Sequence, residues 1–107
     1  MMRDISPLEL RSYLETANPK PLLLDVREPQ EYAHCHIESS IHIPMNDIPY
    51  RLAELDPAQE IVVICHHGMR SRMVGDYLER QGFSDIANLR GGIDAWAREV
   101  APDMPRY

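Results

Sequence analysis

Only two cysteines, Cys35 and Cys65, occur in 107 residues. That is too few for the disulfide framework of a small secreted domain. The count permits one bridge, and the expected cytoplasmic setting argues against it. No apolar run approaches the length needed to cross a bilayer. The opening MMRDISPLEL lacks the long apolar core of a secretory leader. Positive charge is also scarce: 11 Lys and Arg face 17 Asp and Glu, a formal net charge of -6. Such a surface repels nucleic acid and anionic lipid at long range, so neither is an expected partner. There is no repeat, low-complexity stretch or domain linker. The expectation is a single domain over 1–107, with its core at about 5–100 and a short tail at 101–107 lying over the surface.

What is present alternates between strand and helix. LLLDV (22–26), SIHIPM (40–45), EIVVIC (60–65) and DIANL (85–89) are short apolar runs bounded by turn residues, and they read as strands. EIVVIC is the most continuous, rich in β-branched residues, and belongs at the centre of a parallel sheet. SPLELRSYLETAN (6–18) reads as a helix: Ser6 caps it, Pro7 fits its first turn and Glu9 completes a capping box. NDIPYRLAEL (46–55), SRMVGDYLERQG (71–82) and GGIDAWAREV (91–100) supply further helices. In the third of these four, Met73, Val74, Tyr77 and Leu78 are expected on the inner side. This order predicts an α/β fold with a central, mainly parallel sheet of about five strands and helices on both faces. Tyr32 and Trp96 are expected as core or pocket-wall aromatics, and Gly91 and Gly92 as a turn.

Ligands of such sheets gather beyond the carboxyl ends of the strands, and Cys65 stands at one. The sequence CHHGMRS then leads into a helix. Free N–H groups at a helix start favour anions, so a thiolate at Cys65 is stabilised. Gly68 lets the chain curl round one point. Arg70 brings a fixed charge and a forked donor, and Ser71 a hydroxyl that caps the helix or donates. His66 and His67 add donors, for substrate contact, rim charge or proton transfer. Beside this loop, Asp25, Arg27 and Glu31 are candidates for a supporting ion pair. The five histidines and two cysteines lack the paired spacing of structural metal ligands, so no metal is expected.

CHHGMRS resembles the active-site loop of single-domain rhodaneses: Cys, two variable residues, Gly, one variable residue, Arg and a small hydroxyl residue. LLDVREPQEYAHCHIESSIHIPM is similar to that family's early signature, and NLRGGIDAWARE to its closing segment. The order agrees from about residue 5 to 100. Two departures stand out: Cys35 in place of a glycine before His36 and Ile37, and Ser39 and Ser40 in place of a Gly-Ala pair. Related phosphatases have five residues between Cys and Arg, whereas here there are four, which argues against phosphate or arsenate chemistry.

The resemblance implies a three-layer rhodanese-like fold and sulfur transfer without a cofactor. Cys65 matches the nucleophile, and His66, His67, Gly68, Met69, Arg70 and Ser71 match the residues that wrap the transferred group. The implied donor is thiosulfate or another small sulfur donor, with a cysteine desulfurase as a protein source. The implied acceptor is cyanide, a thiol or a sulfur-carrier protein. The alternative is a persulfide carrier or interaction module with little thiosulfate activity of its own. Cys35 is either packed and inert or a second sulfur acceptor.

Overall fold

The computed structural model describes residues 2–107. Strands β1 (Arg3–Ile5), β2 (Leu22–Asp25), β3 (Ile41–His42), β4 (Ile61–Ile64) and β5 (Ile86–Leu89) form one sheet, ordered β1-β5-β4-β2-β3. Every pairing is parallel. Helices α1 (Pro7–Thr16), α2 (Pro29–His34), α3 (Met69–Arg80) and α4 (Gly92–Glu99) pack around it, with two 3-10 turns at Met45–Tyr50 and Leu52–Glu54. Among the described residues no helix is long and apolar enough to cross a membrane.

The expected α/β architecture is present, and β4 is its central strand. Its side chains alternate between two cores, as a period of two requires. Ile61, Val63 and Cys65 face Val74 and Leu78 of α3, with Phe83 beyond that helix. Val62 and Ile64 face Leu10 of α1 and Ile93 and Trp96 of α4. All four β4 residues are fully buried, each contributing about 1.5–3 kcal/mol of hydrophobic stabilisation before entropic costs. Ser6 and Glu9 form the expected capping box at α1.

Several local expectations are corrected. The fifth strand is β1, to which the sequence reading assigned no element. It is an edge strand, partly or fully exposed, so it carries no apolar pattern to detect. Helix α2 buries none of its residues and was equally silent. The helix expected over 46–55 is instead two 3-10 turns, because Pro49 within the first lacks an N–H and clashes with an α-helical turn. Helix α3 begins at Met69 rather than Ser71, and its buried stripe is Ser71, Val74, Gly75 and Leu78. Met73 lies off that stripe and is 62% exposed, against the expectation of an inner position.

Candidate active site

Cys65 follows the last residue of β4, and three residues separate it from the helical turn that starts at Met69. Gly68 adopts φ 104°, the left-handed region that a side chain rarely enters, and serves as the N-cap of α3. That turn folds the chain back so that the Gly68 N–H donates to Cys65 Sγ at 3.0 Å. Ser71 Oγ lies 3.3 Å from the same sulfur. Cys65 is 1% exposed, at the floor of the loop.

The loop is clamped from α4. Ile93 N–H donates to the Cys65 carbonyl at 2.8 Å, and Asp94 N–H to the His66 carbonyl at 3.1 Å. A trans peptide sets its C=O and N–H antiparallel. Holding these two carbonyls on α4 therefore turns the N–H groups of His66 and His67 the opposite way. The first turn of α4 fits only because Gly92 has no side chain: a Cβ there would overlap both loop carbonyls. The sequence reading of Gly91 and Gly92 as a turn missed this contact.

Arg70 donates to Glu31 through both terminal nitrogens, at 2.6 and 3.0 Å. The loop's fixed charge thus arrives paired, with its side chain 31% exposed. Glu31 joins Arg70, while Asp25 and Arg27 form a separate pair. Arg27 is fully buried, donating to both Asp25 oxygens at 2.8–3.1 Å and to the Cys35 carbonyl at 2.6 Å. Such a buried pair stands only when its remaining donors are met, and here they are. Met69 points outward at 79% exposure. Ser71 is not the helix cap: it sits in the buried stripe beneath the sulfur.

The tail does more than cover the surface. The Tyr107 ring stacks on His66 at 3.9 Å with 8° between planes, and its main-chain oxygen accepts from His66 Nε2 at 3.1 Å. Its hydroxyl accepts from Arg27 at 2.9 Å and donates to Glu31 at 2.9 Å. Burial pushes the Tyr107 phenol up to about 12, so it stays protonated. Burial, then the neighbouring His67, lowers His66 and favours its neutral ring. Nothing in the tail's sequence signalled these contacts.

His66, His67 and Asp94 place ligand atoms within 4.8 Å of one another. Asp94 already pairs with Arg106 at 3.1 Å and Arg98 at 3.4 Å, so a cation would enter against two guanidinium charges. His36 and His42 take no part in the site: each stacks on Tyr32 and bonds a backbone carbonyl, of Tyr32 and Arg27 respectively. Cys35 is buried, accepts from Arg27 at 3.9 Å, and lies in the α1/α4 core. Cys65 lies in the α3 core, and both thiols are free. The two sulfurs thus pack in different cores, and Cys35 also lines a small cavity with His66, Ile93 and Tyr107. Ser40, one of the two serines at the departure from the family pattern, is buried and donates to the Ile37 carbonyl at 2.6 Å.

Fold and loop define an α/β domain built round a strand-end cysteine in the mouth of a helix. The chain belongs to the rhodanese-like domain family, whose sequence model matches residues 6–99. YtwF of Bacillus subtilis is 42% identical over 101 residues, covering 94% of this chain and 96% of its own. The thiosulfate sulfurtransferase GlpE of Actinobacillus pleuropneumoniae is 32% identical over 104 residues, 97% of this chain and 94% of its own. The crystal structure of a rhodanese-like domain protein from Staphylococcus aureus superposes with a TM-score of 0.85 at 34% identity, covering 92% of this chain and 95% of that one.

The Glu31 pairing carries a pH signature. Arg70 first, then the Glu28 N–H and Tyr107, outweigh burial and hold the Glu31 carboxyl at about 2. Its folded value is below its unfolded value of roughly 4.3. Its stabilisation is therefore fully present above that value and is lost as pH falls toward about 2. Urea midpoints should fall less steeply for Glu31→Gln than for the parent between about pH 5 and 3. Parallel curves would show that the pair adds no pH-dependent stability.

Proposed function

We propose that this sulfurtransferase-family protein moves sulfane sulfur from thiosulfate, or another persulfide donor, through a Cys65 persulfide to a thiophilic acceptor. The observation that carries this reading is the sulfur's setting: buried at a strand end, met by the Gly68 N–H at 3.0 Å, within a loop clamped by α4. In the first step the Cys65 thiolate attacks the outer sulfur of thiosulfate. A new S–S bond forms, the old one breaks, and sulfite leaves with its electron pair. In the second step cyanide or a thiolate attacks the outer persulfide sulfur, and Cys65 leaves as thiolate. This is covalent catalysis in two halves. Backbone N–H groups of the loop stabilise the anions in both halves without rearranging, since their partner carbonyls are fixed. No step calls for a cofactor.

Arg70 binds the anionic donor by opening one arm from Glu31. Arg70→Ala is expected to raise the KM for thiosulfate about tenfold or more, the worth of one charge-assisted hydrogen bond. Arg70→Lys should recover only part, because an ammonium lacks the fork. Unchanged thiosulfate kinetics in Arg70→Ala would place the guanidinium outside the donor site.

The pairing of Arg70 with Glu31 also favours a second reading, in which the chain is a persulfide carrier loaded by a protein such as a cysteine desulfurase. A charge already matched pulls less on a free dianion. Incubation with thiosulfate alone, followed by intact mass and then by cyanide, decides between them. Gain of one sulfur atom on Cys65 and its loss to thiocyanate support the first reading. Loading only from a protein persulfide supports the second, and no loading from either donor defeats both.

A further inference from the structure

Beneath the Cys65 sulfur runs a polar chain that the transfer steps above do not use. Ser71 is fully buried and Asn88, in β5, is 2% exposed. Asn88 Nδ2 donates to Asp4 Oδ1 at 3.2 Å, and Arg72 donates to the same oxygen at 2.6 Å. A carboxylate only accepts, so the amide nitrogen of Asn88 must face Asp4, and its oxygen faces Ser71. That oxygen also only accepts, so the Ser71 hydroxyl proton goes to Asn88. A hydroxyl has one proton to give. Ser71 Oγ therefore turns a lone pair toward Cys65 Sγ, 3.3 Å away. This arrangement suits a thiol, whose S–H donates to Ser71. It does not suit a thiolate, which would face a lone pair.

We infer that Asn88, oriented by Asp4, is a positioning residue that decides which partner the Ser71 hydroxyl serves, and so how readily the Cys65 sulfur is held as thiolate. The inference rests on Cys65 being the nucleophile. When Cys65 gives its proton to buffer, the Ser71 hydroxyl turns about its Cβ–Oγ bond. It then donates to the sulfur beside the Gly68 N–H. The Asn88 oxygen is left without its donor in a buried place, which is a cost. Asn88 thus acts as a brake on the thiolate. Once the persulfide has formed, Cys65 Sγ no longer carries the charge, and the hydroxyl returns to Asn88. The rotor swings once in each half of the cycle. Asn88 was legible as a lone polar residue in the apolar run IANL, yet only the geometry connects it to the sulfur.

The test uses the full chain with Cys35→Ser, so that Cys65 is the sole thiol. The thiolate fraction at about pH 6, well below the ordinary thiol value, is read by its ultraviolet absorbance and by the iodoacetamide rate on intact mass. Asn88→Leu keeps the branched shape and removes the acceptor. The thiolate fraction should rise about 3–10-fold, the range of one net hydrogen bond. Ser71→Ala should lower it. Adding Asn88→Leu to Ser71→Ala should then change nothing, because Asn88 acts only through that hydroxyl. Asp4→Asn, on the partly exposed edge strand, frees the Asn88 amide to turn and should raise the fraction less.

The other charged groups near the mouth are Arg70 of α3 with Glu31 of α2, His66 and His67 of the loop, and Asp94 of α4. They are common to all variants and cancel, and the charge that Asp4→Asn removes from its pair with Arg72 acts alike with and without Ser71→Ala, so that comparison separates it. An unchanged fraction in Asn88→Leu and Asp4→Asn would overturn the inference, as would an Asn88 effect that persists at full size in Ser71→Ala. If Asn88→Leu fails to fold, Asp4→Asn with and without Ser71→Ala decides. Neither readout requires turnover, so failure of sulfur transfer would count against the proposed function alone.

Discussion

Cys65→Ser should retain less than about a thousandth of the parent rate of sulfur transfer, a loss of roughly 4 kcal/mol in transition-state stabilisation. Serine keeps the shape and the hydrogen bond from Gly68, so folding should hold. What it lacks is a sulfur that ionises readily and forms an S–S bond. Cys35, packed in the other core and bonded to Arg27, is not expected to substitute for it. The thiosulfate:cyanide rate and the intact mass after loading are the measurements. Turnover within about tenfold of the parent would remove Cys65 from the mechanism.

Gly92→Ala should damage both stability and activity. Gly92 sits at φ 65°, where a side chain is strained, and the new Cβ would overlap the Cys65 and His66 carbonyls. Those carbonyls cannot retreat cheaply, because Ile93 and Asp94 hold them by hydrogen bonds. The expected destabilisation is about 3 kcal/mol, from overpacking together with backbone strain. Sulfur transfer in the folded fraction should fall about 100-fold, because a small shift of the loop misplaces its donors. Gly82→Ala is the control: it too has positive φ, but nothing lies within 4 Å of the added methyl. It should lose only about 1 kcal/mol and no activity. A Gly92→Ala protein no worse than Gly82→Ala would show that the clamp from α4 is not required.

The parts of this fold that were legible in sequence are those whose burial repeats. The strand at β4 announced itself by four buried residues in a row, and α1 by a cap spaced as caps must be. Arg3–Ile5 and Pro29–His34 bury little, so they left no pattern, and only pairing or hydrogen bonding reveals them. The loop itself was legible because its residue types are constrained by what they do: a glycine for positive φ, a cysteine at a strand end. Its surroundings were not. Arg70 could be read as a charge, but nothing near it in sequence says that Glu31, 39 residues earlier, takes both its arms. Tyr107 reaches the site from 41 residues beyond His66, and such contacts have no local signature.

The packing of the two cysteines in different cores bears on leakage. A protein persulfide beside a second thiol collapses to a disulfide and discards its sulfur as sulfide. Here the chain's other thiol packs in a different core, bonded to Arg27. On the proposed mechanism, sulfur loaded on Cys65 would wait for a visiting nucleophile. The lifetime of the charged state would then be set by encounter with an acceptor, and the fold would work as a reservoir as well as a relay.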